Sequence, residues 1–307
     1  MDIDYDLLVQ FEKQLMPHDL SRSGIAAEVL GYGEISSIFS IAGRKDIIYK
    51  RLPIFSSVDQ AEGYKQRYFE YCDLLKQAGL SIPEDDAAIV DIPGRPVVIY
   101  FVQRRFEEER LCHKLIHKLA RPEIESMLVA ILGSIEKTWQ FNHARQPVFE
   151  IAVDAQLSNW VWVTEAGEQK LYLLDTTTPM YRVQGVEQLD VELFLESIPF
   201  FIRWLVRRLD LDDVVNRYYD PVSNLTDVVA NLYKEQRPDL IPFFIETING
   251  RMPEGVGSLS RKEIDDYYKE DKMIWTLLSI LRRTDRFITT KILRRRYEFI
   301  LPGKVNR

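Results

Sequence analysis

Two cysteines and four histidines in 307 residues leave little material for thiol or zinc chemistry. Cys72 and Cys112 cannot build a disulfide framework or a four-ligand zinc site. His18, His113, His117 and His143 are scattered. Only His113 and His117 share helical i, i+4 spacing, and without a third ligand a solvated helix face is the expectation. Neither Gly-x-Ser-x-Gly nor His-Glu-x-x-His occurs, and there is no internal repeat or low-complexity segment. Long apolar runs are missing too: Leu193 to Leu209 is broken by Glu196, Pro199, Arg203, Arg207 and Arg208, so it does not read as a membrane span. The start, Met1-Asp2-Ile3-Asp4-Tyr5-Asp6, lacks the basic-then-apolar order of a secretion signal, and the expected location is cytoplasmic.

What is present is an ordinary globular mix, 46% apolar and 28% charged, enough for one large domain or two smaller ones. The net charge of −7 argues against nucleic-acid or membrane binding by the average surface. The charge is uneven, however. Arg282 to Arg307 is strongly basic, which reads as a solvated final helix and leaves a local patch for an acidic protein partner.

From Gly24 to Val102 the pattern is one of strands and turns. Ile25–Leu30, Ser37–Ile41, Asp46–Lys50, Ala87–Val90 and Val97–Val102 read as strands, and Val58–Ala78 reads as an inserted helix closed by Gly79. Beyond Gln103 the chain turns helical, with helices expected at Glu123–Asn142, Asp190–Leu209, Leu225–Lys234 and Ile264–Arg296. A hairpin is expected from Trp160–Thr164 and Lys170–Leu174. The expectation is an α+β chain in two parts: residues 1–103, a strand-rich lobe, and 104–307, a helical one.

Four features bear on chemistry. Gly31-Tyr32-Gly33-Glu34-Ile35-Ser36 is a glycine turn between strands that lets backbone approach a phosphate chain. Lys50 ends the third strand, where it could reach under that turn, although a strand lysine is commonly a snorkelling edge residue. Asp154 and Asn159, five residues apart in one loop, can face a common cleft or simply satisfy their own backbone. Asp175 follows an apolar strand sixteen residues after Asn159 and offers a hard oxygen ligand, or a turn carboxylate before Pro179.

The order of these features resembles the protein-kinase-like superfamily. The segment Ala78-Gly-Leu-Ser-Ile-Pro83 and the short stretch after Asp175 look most like the aminoglycoside and choline phosphotransferase branch. The resemblance spans roughly residues 25–180 and implies a two-lobed fold: an antiparallel sheet with one helix, then a mostly helical lobe. It implies ATP and Mg²⁺ as cofactors and a small-molecule hydroxyl acceptor. Gly31, Gly33 and Ser36 would cover the phosphates and Lys50 would contact the α- and β-phosphates. Glu70 is preferred as the carboxylate orienting Lys50, with Glu62 as the rival, since helical phase does not decide between them. Gln103 and its neighbours would form the hinge beside the adenine. Asp154 would serve as catalytic base, and Asn159 and Asp175 would hold Mg²⁺.

The departures from that family are specific. Ala152 stands where a histidine is usual, Gln156 where a basic residue is usual, Ser36 in place of a third glycine, and Thr176-Thr177 after Asp175. They motivate a second reading, a catalytically silent kinase-like protein that binds nucleotide or a partner, and a third in which the adenylate is transferred. Asp212-Asp213 and Asp265-Asp266 read as helix-start or surface carboxylates.

Overall fold

Alternating and β-branched residues form the strands of the first hundred residues; Gly33 follows the first, Ala42-Gly43 turns the second, Pro93-Gly94 divides the last two, and the third runs through Pro53 to Phe55. In the computed structural model, which describes residues 3–33, 35–190, 193, 211–253 and 255–301, these strands are β1 (Ala27–Tyr32), β2 (Ser37–Ile41), β3 (Ile47–Phe55), β4 (Asp85–Val90) and β5 (Val97–Arg104). All pair antiparallel, in the order β1-β2-β3-β5-β4. Ala42 and Gly43 make the β2–β3 turn, both with positive φ.

Two helices sandwich this sheet. Helix α1 (Tyr5–Gln14), which the sequence reading did not anticipate, is capped by Asp4 accepting from the Leu7 amide, and it packs Leu8 and Phe11 against Phe39, Tyr49 and Tyr100. Helix α2 (Val58–Gln77) is inserted between β3 and β4, capped by Ser57, and covers the opposite face with Ala61, Tyr64, Tyr68 and Cys72. Because strand residues alternate between faces, Lys50 shares a face with Leu52 under α2, while Tyr49 and Arg51 point to the α1 side.

Past β5 a short link leads to α3 (Cys112–Leu115) and the long α4 (Arg121–Arg145), whose Ile124, Met127, Leu128, Ile131 and Ile135 line the second core. Small strands follow: β6 (Phe149–Ile151), the hairpin β7 (Trp160–Glu165) and β8 (Glu168–Leu173), and β9 (Tyr181–Val183), which pairs with β6 and with β10 (Val186–Glu187). The remaining helices are α5 (Leu211–Tyr219), α6 (Pro221–Lys234), α7 (Ile241–Asn249) and α8 (Arg261–Phe287). The result is an α+β, two-lobed protein-kinase-like fold. The expected helix over 190–209 falls almost wholly outside the described residues.

The final helix differs from its expectation. It stops at Phe287 rather than Arg296, gives way to one π turn (Ile288–Ile292), and the chain then returns to the strand lobe. There Phe299 packs with the α2-side core and Ile300 with the α1-side core. No helix among the described residues is long and apolar enough to cross a membrane.

Candidate functional site

The loop that carries Asp154 is held at both ends by backbone bonds. Asn142, near the end of α4, clamps Ile151 through two side-chain hydrogen bonds, each 2.8 Å, mimicking a strand partner. Ala152 donates its amide to the Met180 carbonyl at 3.0 Å, and its own carbonyl accepts from the Tyr71 hydroxyl of α2 at 2.6 Å. Where a histidine side chain was missing from the sequence pattern, a tyrosine from the other lobe therefore grips the loop. Further on, Asn159 donates to the Asp154 carbonyl at 3.1 Å, and the Asn159 carbonyl accepts from the Leu174 amide at 2.8 Å, so the Asp154 and Asp175 loops are one connected piece.

Lys50 reaches this piece from the sheet. Its Nζ donates to the Leu174 carbonyl at 2.7 Å and lies 3.6 Å from Asp175 Oδ1, with Lys50 buried and Asp175 44% exposed. Across the strands, Ile38 pairs with both Gly31 and Lys50, which puts the glycine turn and the lysine on one line perpendicular to the strands. Within that turn Gly33 donates to the Ser36 carbonyl at 3.1 Å, and a Cβ on Gly33 would lie 2.4 Å from Ser36 Oγ, so a larger residue there would have to turn the Ser36 hydroxyl away.

Two expected arrangements differ from where the structure puts the side chains. Neither Glu70 nor Glu62 pairs with Lys50 here: Glu70 accepts from Tyr181 at 2.7 Å, and Glu62 pairs with Lys65 at 2.8 Å. The helical phase of α2 turns tyrosines, not glutamates, toward the cleft; Tyr64 donates to the Thr177 carbonyl at 2.8 Å, and Tyr68 to Asp85. The carboxylate beside Lys50 is Asp175 itself. Gln103 lies near the end of β5, just before the link between the lobes. It sits within β5, opposite Ile48 and Asp85, buried, with Nε2 donating to the Leu174 carbonyl at 3.2 Å and a buried Oε1 that has no partner. The link between lobes begins after Arg104, whose guanidinium meets Glu165 of the hairpin at 2.9 Å. Of the histidine pair, His117 is exposed but His113 is partly buried, and burial pushes its imidazole down to about 4.

The electrostatics converge on Asp154. Burial and the nearby Asp227 carboxylate, with a smaller contribution from Asp175, push it up to about 7, against the Gln156 amide and Lys234, which pull it down. Asp227 is buried on α6 and is raised as well, chiefly by burial. It accepts from Gln156 Nε2 at 2.9 Å and the Tyr267 hydroxyl at 2.9 Å, and Lys234 reaches Gln156 Oε1 at 3.4 Å. The sequence reading missed Asp227 and Lys234. A signal was there: Asn224, Asp227 and Asn231 recur at steps of three and four among apolar neighbours. A polar line on an otherwise apolar helix must find partners inside.

No group of three histidine, cysteine, aspartate or glutamate side chains suited to a metal occurs among the described residues. A hard cation held by Asp175 and Asn159 would complete its shell with water and ligand phosphate oxygens, the usual habit of Mg²⁺, so the donor set fits such an ion. Gln103 shares the Leu174 carbonyl with Lys50 and leaves its own buried Oε1 without a partner.

The chain belongs to DUF6206, a family of unknown function, whose model matches residues 12–286. No curated protein matches the sequence. Among solved structures it is similar to WaaP in complex with acyl carrier protein, at 9% identity and a TM-score of 0.35, covering 85% of this chain and 89% of that one. It is also similar to WbdD crystallised with a kinase inhibitor, at 14% identity and a TM-score of 0.34, covering 77% of this chain and 49% of that one. The strand order and the helix inserted between β3 and β4 define the fold without these likenesses.

Proposed function

We propose that this DUF6206 protein is an ATP- and Mg²⁺-dependent phosphotransferase that moves the γ-phosphate to a hydroxyl of a small molecule. The observation that carries the reading is the meeting of Lys50 and Asp175, from opposite lobes, at 3.6 Å beside the loop of Asp154 and Asn159. Phosphoryl transfer asks a protein mainly for positioning and charge neutralisation, and one lysine, a metal-binding pair and a base are a sufficient set. Bound Mg-ATP would supply the phosphoryl group, with Asp175 and Asn159 holding the ion and Gly31, Gly33 and Ser36 covering the phosphates. Lys50 orients the phosphate chain. Asp154, whose carboxyl loses its proton near neutral pH, accepts the acceptor hydroxyl proton.

Thermal stabilisation by ATP, with and without Mg²⁺, tests the nucleotide site. Saturating ligand should add about 2.7 kcal/mol at a hundredfold excess over Kd. The Mg²⁺-dependent part should vanish in Asp175→Ala, and Asp154→Asn should keep the shift while losing turnover. Absence of any shift in the wild type would end the proposal. A second reading, a silent nucleotide binder, is favoured by the occupation of Lys50 by a backbone carbonyl and of Gln156 by Asp227. It predicts the full Mg²⁺-dependent shift with no turnover on any acceptor. Labelling ATP at α versus γ separates transfer of adenylate from either.

A further inference from the structure

The end of α8 presents side chains that belong neither to the cleft nor to a core. Met273, Leu277, Ile280 and Phe287 follow one another at steps of four, three and seven, which places them on one stripe of the helix. All four are exposed, at 66%, 50%, 57% and 59%. Ile292 and Leu293, in and after the π turn, continue the apolar surface at 63% and 49%. Large apolar side chains exposed in series mark an interaction surface rather than ordinary scatter.

The same stretch concentrates positive charge. Residues 282–296 hold seven cations, Arg282, Arg283, Arg286, Lys291, Arg294, Arg295 and Arg296, against one anion, Asp285, in a chain of net charge −7. Lys291, Arg294 and Arg295 are exposed next to Ile292 and Leu293. This end of the helix is fixed in place, because Arg296 donates to the Leu15 carbonyl at 2.7 Å and Tyr297 is buried immediately after it.

We propose that the second half of α8 together with the π turn and the residues that follow it, from Met273 to Arg295, docks on an anionic lipid bilayer. Its apolar stripe would enter the headgroup boundary, and its cations would meet lipid phosphates. Charge decides between this occupant and a second copy of the chain. A parallel pairing of two α8 helices would set one basic end against another. An antiparallel pairing would set it against residues 261–272, which carry four cations and five anions and so neutralise little. An anionic bilayer satisfies both the apolar row and the exposed cations Lys291, Arg294 and Arg295. The expectation of no membrane contact rested on average charge, which conceals this local reversal.

The test is flotation of the full chain with phosphatidylcholine vesicles, with and without phosphatidylglycerol. Binding should be roughly tenfold or more stronger to the anionic vesicles and should weaken as salt rises. Phe287→Ser with Ile292→Ser should abolish it through the apolar arm, and Lys291→Glu with Arg294→Glu through the charge arm. Both variants alter exposed positions and should keep the wild-type circular dichroism and melting temperature. Equal binding to both vesicle types, or none to either, overturns the proposal. So does a concentration-dependent dimer, seen by light scattering and lost in the Phe287→Ser variant, in a protein that ignores vesicles.

Discussion

Lys50 and Arg51 are neighbours on β3 and could hardly be used more differently. Arg51 faces α1 and is sealed: Glu12 meets its guanidinium at 2.7 and 2.8 Å, and Glu298 meets it through both carbonyl and carboxylate at 2.8 and 3.0 Å. Arg95 and Tyr100 complete the network on Glu12. Lys50, one residue earlier, has a backbone carbonyl and a carboxylate 3.6 Å away that is 44% open to solvent. A buried charge with all its partners present is structure; one whose partner still faces water keeps room for a ligand. The pleat that separates the two faces also separates a structural ion cluster from the candidate site.

The largest expected effect breaks that pairing in two. Arg51→Met removes the two-pronged partner of buried Glu12, leaving it only Arg95 and Tyr100, and should lower stability by about 3 kcal/mol, measured by urea unfolding. Lys50→Met strands no fully buried charge and should change stability by no more than about 1 kcal/mol. On the proposed reaction the ranking reverses, with Lys50→Met lowering turnover roughly a hundredfold or more. If Lys50→Met unfolds the protein as readily as Arg51→Met does, Lys50 is a structural residue and the contrast collapses.

The two faces were also unequally legible in the sequence. The five strands and α2 follow from local alternation, and the order of glycine turn, lysine and carboxylates pointed to the fold. The Arg51 cluster was not legible, because its members are brought together from Glu12, thirty-nine residues before, and Glu298, 247 residues after. Nothing local marks such partners. Glu12 reads as an ordinary charge in an acidic amino-terminal stretch, and Glu298 is hidden in the basic one. The misplacement of Glu70 has a different cause. A helix of twenty residues offers several carboxylates and tyrosines, and only packing decides which phase faces the cleft.

That phase supplies a finer comparison between two tyrosines of α2. Tyr71 donates to the Ala152 carbonyl inside the core, whereas Tyr64 donates to the Thr177 carbonyl in a partly buried setting. Tyr71→Phe leaves a buried acceptor unmet and should destabilise by about 1–3 kcal/mol. Tyr64→Phe should lose less, since solvent can replace the donor. Calorimetric melting of the two variants decides the order, and a larger loss at Tyr64 would mean that the Asp175 loop, not the Asp154 loop, is the one α2 braces.

The last comparison is a pair of opposed shifts around Asp154. Its carboxyl is raised from 3.8 to about 7, so the folded state binds a proton that the unfolded chain releases between those values. The resulting stability is present at low pH and falls as pH rises from about 4 through 7, and Asp154→Asn should remove that dependence. Turnover has the opposite sign, since a base must be deprotonated, and should climb through the same value of about 7. Asp227 raises this carboxyl and Lys234 lowers it. Asp227→Asn should therefore move the half-point of the pH–rate profile down, and Lys234→Met should move it up, with the fold intact in both. Shifts in the same direction would show that the two variants act by disturbing Gln156, which touches both side chains, rather than through charge.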